Sequence, residues 1–256
     1  MKKIGLVMMA LLLVVLSACA SGNGDSGKKK TIVMGTSADY PPFETVDTAN
    51  GNKIIGFDID LAKYIADQLG YKLTIKNQDF NGLMAALSSK KVDFVMAGMV
   101  DTPDRRKSVD FSKVYFNDYQ VVLSKNSAGI HSVKDLKGKK VGVQLGTTQE
   151  TFAMQLKKKT PMTVQRWDKL NEMVEAMRAG KLDAIITVSS VAYGYTNKDK
   201  NIHQFKALLN GKPKADPVSV AFPKDSKLTS QFNKEIAKAK KNGKLDKLIT
   251  KWIKHQ

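Results

Sequence analysis

Ala86-Leu87-Ser88-Ser89-Lys90-Lys91-Val92-Asp93-Phe94-Val95-Met96 and Ala176-Met177-Arg178-Ala179-Gly180-Lys181-Leu182-Asp183-Ala184-Ile185-Ile186 follow one plan: a helix end, a basic turn, an aspartate and an apolar strand. Ninety residues separate the two copies, and two lobes built alike would produce such an echo. The echoed strands read as Val92 to Ala97 and Asp183 to Val188, with further strand-like runs at Thr31 to Gly35, Gln120 to Leu123 and Lys140 to Val143. They alternate with segments of helical period, the pattern of an α/β protein. Ile59, Ala62, Ile65, Ala66 and Leu69 share one helical face, with Asp58 expected as N-cap and Gly70 as the stop. Leu170, Met173, Val174 and Met177 repeat that spacing up to Gly180, Leu228, Phe232 and Ile236 mark another helix, and Leu245, Leu248, Ile249 and Trp252 a last one. These stripes are expected to face the core. In open α/β sheets ligands sit beyond the carboxyl ends of the strands, so Gly98 to Arg105 and Thr187 to Ser190 are expected on opposite walls of one cleft.

The N-terminus has a different character. Met1-Lys2-Lys3 is basic, Ile4 to Leu16 is an apolar run of thirteen residues, and Leu16-Ser17-Ala18-Cys19 follows. That is a secretion signal over residues 1–18, too short for a transmembrane helix. The four residues ending at Cys19 resemble the bacterial lipobox, which implies cleavage before Cys19 and a diacylglyceryl group on its thiol. Residues 19–30 are rich in Gly, Ser, Asn, Asp and Lys and read as a flexible tether. Cys19 is the only cysteine, so the exported part has no disulfide framework and must rely on its core.

The formal charge is +18, but Lys and Arg are scattered through the chain without an aromatic-interleaved stripe, which argues against a nucleic-acid partner. A basic surface facing an anionic membrane or envelope accounts for it. His131, His203 and His255 stand far apart, and no metal-ligand cluster, nucleophile elbow or cofactor motif occurs, so no cofactor is expected.

The chain also resembles the amino-acid-binding extracytoplasmic proteins of ABC importers, solute-binding protein family 3, on a series of segments in the family's order. They are Thr36-Ser37-Ala38-Asp39-Tyr40-Pro41-Pro42-Phe43-Glu44, Gly56-Phe57-Asp58-Ile59-Asp60-Leu61, Gln78-Asp79-Phe80-Asn81-Gly82-Leu83, Ala97-Gly98-Met99 with Arg105, Val109-Asp110-Phe111-Ser112, and Asp135 to Val143. The resemblance implies a two-lobe type II periplasmic-binding fold with a ligand cleft. Lobe one is expected at residues 31–123 plus 218–256, lobe two at 128–213, and two crossover strands form the hinge. It further implies a monomer, anchored by lipid to the outer face of the bacterial cell membrane, that captures a polar amino acid or close relative and hands it to a membrane permease.

Carried over residue by residue, the resemblance makes Tyr40 and Phe80 aromatic walls and Arg105 a bidentate clamp for the ligand carboxylate, a geometry that lysine cannot reproduce. Gly98 and Met99 supply main-chain groups, and Ser37 and Gln144 fall where the family varies with the ligand side chain. Gly146-Thr147-Thr148-Gln149 lies between a strand and a helix, so its amides and hydroxyls suit an anionic group, a cap, or both. Two departures stand out. Val100 replaces a hydroxyl that normally helps hold the carboxylate, and in Thr187-Val188-Ser189-Ser190 the position of the aspartate that pairs with the α-ammonium is Val188. Either another acid, Asp39 or Glu150, takes over, or the ligand lacks a free amine. A dehydratase-like cleft enzyme on the same fold is the alternative, with Asp39 and Glu150 as its candidate acids.

Overall fold

In the computed structural model, which describes residues 29–254, the apolar runs read as strands assemble into two separate sheets. The signal-peptide and lipidation readings, and the tether as far as residue 28, lie outside the described residues. The chain runs through β1 (Thr31–Thr36), a meander of β2 (Asp39–Tyr40), β3 (Glu44–Asp47) and β4 (Lys53–Ile55), then α1 (Phe57–Gln68), β5 (Lys72–Asn77), α2 (Leu83–Ser88), β6 (Phe94–Val95), α3 (Pro103–Arg106) and β7 (Val109–Phe111). β8 (Phe116–Lys125) leads to β9 (Lys140–Gln144), α4 (Thr148–Lys157), β10 (Thr163–Trp167), α5 (Leu170–Arg178), β11 (Ala184–Val188), α6 (Ser189–Lys198) and β12 (Ile202–Lys206). A hairpin of β13 (Leu208–Leu209) and β14 (Lys212–Pro213) precedes the return strand β15 (Ala215–Val218), β16 (Ala221–Pro223), α7 (Lys227–Lys241) and α8 (Lys244–Ile249).

The first sheet has the order β5-β1-β6-β16-β7 and the second β10-β9-β11-β8-β12. β1 pairs in parallel with β5 and β6, and β9 in parallel with β10 and β11, so both sheets share one parallel centre. The echoed aspartates have one and the same job. Asp93 accepts from Val33 N at 2.7 Å while its own N–H donates to Val33 O at 2.8 Å. Asp183 accepts from Lys140 N at 2.7 Å and donates to Lys140 O at 2.9 Å. Each pins the start of β6 or β11 to the neighbouring β1 or β9, satisfying a backbone donor at the edge of a parallel ladder. The turn bond repeats as well, Lys91 N to Ala86 O at 2.9 Å and Lys181 N to Ala176 O at 2.8 Å.

β8 and β15 connect the sheets. Phe116 to Tyr119 pair with Val218 to Ala215, whereas the second half of β8 pairs with β11 and β12. This is the two-lobe α/β arrangement with two crossover strands that the resemblance implies. β8 is longer at both ends than the apolar run Gln120 to Leu123, because the ladder to β15 extends it from Phe116 to Tyr119 and the ladders to β11 and β12 extend it to Ser124 and Lys125. The strand read at Val92 to Ala97 shortens to β6, since Asp93 is engaged by its side chain and the chain turns at Gly98. The helical stripes are core as expected: Phe232 on α7 meets the rings of Phe94 at 4.8 Å and Phe222 at 5.1 Å, returning the C-terminal helices to the first sheet. Burying each such ring stabilises by roughly 1.5–3 kcal/mol. Among the described residues no helix is long and apolar enough to cross a membrane.

Asp58 is not the N-cap expected for α1. Gly56 holds that position at φ 141°, and the first helical donors go to main-chain carbonyls, Phe57 N to Pro42 O at 2.9 Å and Asp58 N to Phe43 O at 3.0 Å. A Cβ on Gly56 would lie 2.2 Å from Phe43 O. Gly56→Ala is therefore expected to lower the free energy of unfolding by about 3 kcal/mol or more, as read by urea denaturation. A loss below about 1 kcal/mol would show that the Phe43 carbonyl yields instead.

Candidate ligand-binding site

The carboxyl ends of β1, β6, β9 and β11 converge between the sheets, where this topology is expected to hold a ligand. A narrow cavity of about 20 Å³ lies there, lined by Tyr40, Phe80, Ala97, Gly98, Val100 and Arg105 on the first-sheet side and by Gln144, Thr147, Thr148 and Gln149 on the other. Ser37 lies one step outside it, lining a wider opening with Asp39, Asp79, Lys169 and Tyr195. Thr187 touches the cleft through its hydroxyl, 3.3 Å from Tyr40 Oη, and Val188 is buried behind it. Met99 is buried in the core, and its carbonyl accepts from Ser219 N at 2.8 Å.

Arg105 is placed by α3, a single turn begun by Pro103, whose N-cap Thr102 accepts from Arg105 N at 3.2 Å. Its guanidinium lies over the Phe80 ring, 5.5 Å from the centroid. Nη1 donates to Val100 O at 2.6 Å and Nη2 to Gly146 O across the cleft at 3.0 Å. No carboxylate among the described residues forms an ion pair with it. Burial lowers its pKa to about 10 against the opposing pull of Asp216, which leaves it fully charged at neutral pH. Its neighbour Arg106 is exposed and paired with Asp101.

Tyr40 stacks on Phe43 with centroids 6.0 Å apart. Burial, with the charges of Asp118, Asp216 and Glu44 adding, pushes its phenol well above the usual range. Gly98, at φ 55°, makes the left-handed turn beneath that ring, a backbone conformation that a side chain would strain even though a Cβ would only touch Tyr40 Cε1 at 3.4 Å. Asp58 fixes this turn: it accepts from Gly98 N at 2.9 Å and from Tyr115 Oη at 2.7 Å. Burial raises the Asp58 carboxyl to about 6, and Glu44, fully buried beside it, is pushed up further by burial and by the Asp58 charge.

Most polar side chains around the cavity bond one another. Thr147 caps α4, accepting from Glu150 N at 3.2 Å while donating to Gln144 O at 2.6 Å. Asp39 reaches across the cleft: it accepts from Gln144 Nε2 at 3.2 Å, from Leu170 N at the start of α5 at 2.8 Å, and from Ser37 Oγ at 2.8 Å. Glu150 accepts from Gly146 N at 2.9 Å and from Arg166 Nε at 2.5 Å. Both acids singled out from the sequence are thus engaged. Two others were missed, Asp118 on β8 and Asp216 on β15. Asp216 accepts from Thr148 Oγ1 at 3.1 Å and Gln149 Nε2 at 2.9 Å, two side chains of the cavity wall. Burial raises the pKa of both aspartates. Crossover strands carry no motif, and an aspartate in the middle of each was the only available signal.

Comparison with known proteins bears on this geometry. The family described as bacterial extracellular solute-binding proteins, family 3, matches residues 32–255. The arginine-binding extracellular protein ArtP of Bacillus subtilis (strain 168) is 42% identical over 250 residues, covering 97% of this chain and 96% of that one. The ABC transporter glutamine-binding protein GlnH of the same organism is 34% identical, covering 99% and 98%. Among solved structures, the substrate-binding protein of an amino acid ABC transporter matches with a TM-score of 0.82 at 40% identity, over 88% of this chain and all of that one. An ancestral arginine-binding protein bound to arginine matches at 0.80 and 38% identity, over 88% and 98%.

A carboxyl whose pKa is higher folded than unfolded holds its proton more tightly when folded, so stability is lost as pH rises through that interval. For Asp58, raised from 3.8 to about 6, the loss falls between about pH 4 and 6 and is of order 3 kcal/mol. Denaturant unfolding from pH 4 to 7 is expected to show the wild type falling relative to Asp58→Asn across that window. Parallel curves would place the proton elsewhere.

Proposed function

The chain belongs to the bacterial extracellular solute-binding proteins of family 3, and from that premise we propose how its cleft captures solute. It is a substrate-binding protein for a polar amino acid, serving an ABC importer. The observation that carries the capture scheme is Arg105: partly buried, charged, stacked on Phe80, and without a carboxylate partner. A ligand α-carboxylate takes the two guanidinium edges now on the Val100 and Gly146 carbonyls, in the bidentate geometry that makes arginine suited to this task. Tyr40 and Phe80 wall the ligand body, and Gln144 reads its side chain with Ser37 behind. Relatives bear the names of arginine-, glutamine- and histidine-binding proteins, and arginine is the first solute to test.

Closure follows from the contacts that span the cleft. Asp39 docking on the start of α5, Tyr40 on Thr187 and Arg105 on Gly146 form together when the lobes meet, and a ligand holding the same walls favours that state. The hinge is the β8–β15 pair, between a lobe of residues 31–123 plus 218–256 and one of 128–213. Residues 1–18 act as the signal peptide, Cys19 carries the lipid, and a short tether lets the monomer visit its permease on the outer face of the membrane. Asp39 and Glu150, the acids a dehydratase-like reading would use, are both committed to backbone and side-chain donors, which supports a binder over a catalyst.

L-arginine, L-glutamine and L-histidine at 100 to 1,000 times Kd should each be tried for thermal stabilisation. The true ligand is expected to add roughly 3–4 kcal/mol, several degrees in Tm; no shift with these or the other common amino acids would overturn the reading. Arg105→Lys is expected to weaken binding by about 2–4 kcal/mol in calorimetry, as an unforked cation cannot replace the guanidinium. Unchanged affinity would remove the clamp from the scheme.

A further inference from the structure

Two carboxylates near the cleft have no role in the scheme above. Asp118 on β8 and Asp216 on β15 stand directly opposite one another in the antiparallel crossover ladder. Side chains so paired share a face of the ladder, and like charges in that register repel. Both residues are buried, and no lysine or arginine forms an ion pair with either among the described residues. Neutral donors alone hold them. Asp118 accepts from Tyr119 N at 2.8 Å, Ser190 N at 3.2 Å and Ser190 Oγ. Asp216 accepts from Gln120 Nε2 at 3.0 and 3.1 Å in addition to Thr148 and Gln149.

Gln120 supplies a second and independent observation. It is fully buried, its amide N–H₂ faces both oxygens of Asp216, and its own Oε1 has no donor. A buried acceptor without a donor costs about 1–3 kcal/mol, and two desolvated carboxylates without a cation add to that cost. A compact cation with several N–H groups would relieve all three residues.

The location matches that need. Gln120 is the cross-strand partner of Val188, and Ser190, which binds Asp118, lies two residues beyond Val188. The pair therefore flanks the position where lobe two has valine in place of an acid. The charge of Asp216 acts on Arg105 and the charges of both on Tyr40, which puts the pair beside the clamp and the aromatic wall. Glu150 is paired with Arg166, and Asp39, also held by neutral donors, lines the outer opening with Ser37 and not the cavity that Arg105 and Tyr40 wall.

We infer that Asp118 and Asp216 together receive the α-ammonium of the captured amino acid, with Gln120 Oε1 taking one of its three N–H groups. The crossover strands, not the second lobe, then carry the counter-charge, and the cleft selects free zwitterionic amino acids over acylated ones. The inference rests on the amino-acid reading and fails separately from it.

The test measures Kd by calorimetry for L-arginine, L-glutamine and L-histidine and their Nα-acetyl forms, on the wild type, Asp118→Asn and Asp216→Asn. The wild type is expected to prefer the best free amino acid over its acetyl form by roughly 100-fold or more, and each variant to reduce that preference roughly 10-fold or more by weakening the free form alone. A wild type that binds neither set counts against the amino-acid reading itself. Equal binding of free and acetylated forms, or a preference that both variants keep, overturns the inference. Should the variants not fold, a crystal structure of the wild type with its amino acid decides: the ammonium nitrogen within hydrogen-bond distance of Asp118 or Asp216 supports it, and an ammonium held by Asp39 or by main-chain carbonyls alone overturns it.

Discussion

The carboxylate of Asp58 ties together the segments of the first lobe around Tyr40. One oxygen holds Gly98 N and the other Tyr115 Oη, at the turn after β6 and just ahead of β8. Asp58 is free for this because the carbonyls of Pro42 and Phe43 serve the first donors of α1, and that approach is open only while residue 56 has no side chain. The loop carrying Tyr40, the start of α1, the turn under the Tyr40 ring and the entry to the hinge are thereby fixed relative to one another. Burial of Asp58 with Glu44 puts two carboxyls in one low-dielectric space, which raises both pKa values.

The second lobe presents a complementary problem. Its helices α4, α5 and α6 all begin at the carboxyl ends of strands, so their N-terminal donors and positive dipole ends face the cleft. An aspartate from outside takes a backbone donor of two of them, Asp39 on Leu170 N and Asp118 on Ser190 N, and Asp216 takes side-chain donors at the start of α4, from Thr148 and Gln149. Two of these aspartates come from the crossover strands and one from across the cleft. Asp39 thus satisfies α5 from the opposite side of the cleft. This arrangement also explains how a chain of formal charge +18 has a cleft rich in buried acids: net charge describes the solvated surface, whereas the cleft follows from helix ends and strand register.

Much of this was legible beforehand. The echo around Asp93 and Asp183 was readable because each lobe repeats one local device, an aspartate closing the start of a parallel strand, and local devices leave contiguous residues. Arg105, Tyr40, Phe80 and Gln144 came from the family resemblance and the Thr147–Gln149 turn from its place between a strand and a helix, and all line one cavity. Asp58 was misassigned as a cap because a main-chain cap from Pro42 and Phe43 has no side-chain signature.

The sequence by itself determined the α/β plan and the core faces of the helices, because periodicity and short motifs are properties of neighbouring residues, and the family resemblance pointed to the two lobes and to most residues that line the cavity. Only the tertiary structure decided which acids are free and which are engaged. Asp39 and Leu170 are 131 positions apart and Asp118 and Asp216 are separated by 98, yet the first pair shares a hydrogen bond and the second a rung of one ladder. Whether a carboxylate is available to a ligand depends on the donors that folding brings to it and on the water that folding removes, and neither is encoded in the residues beside it.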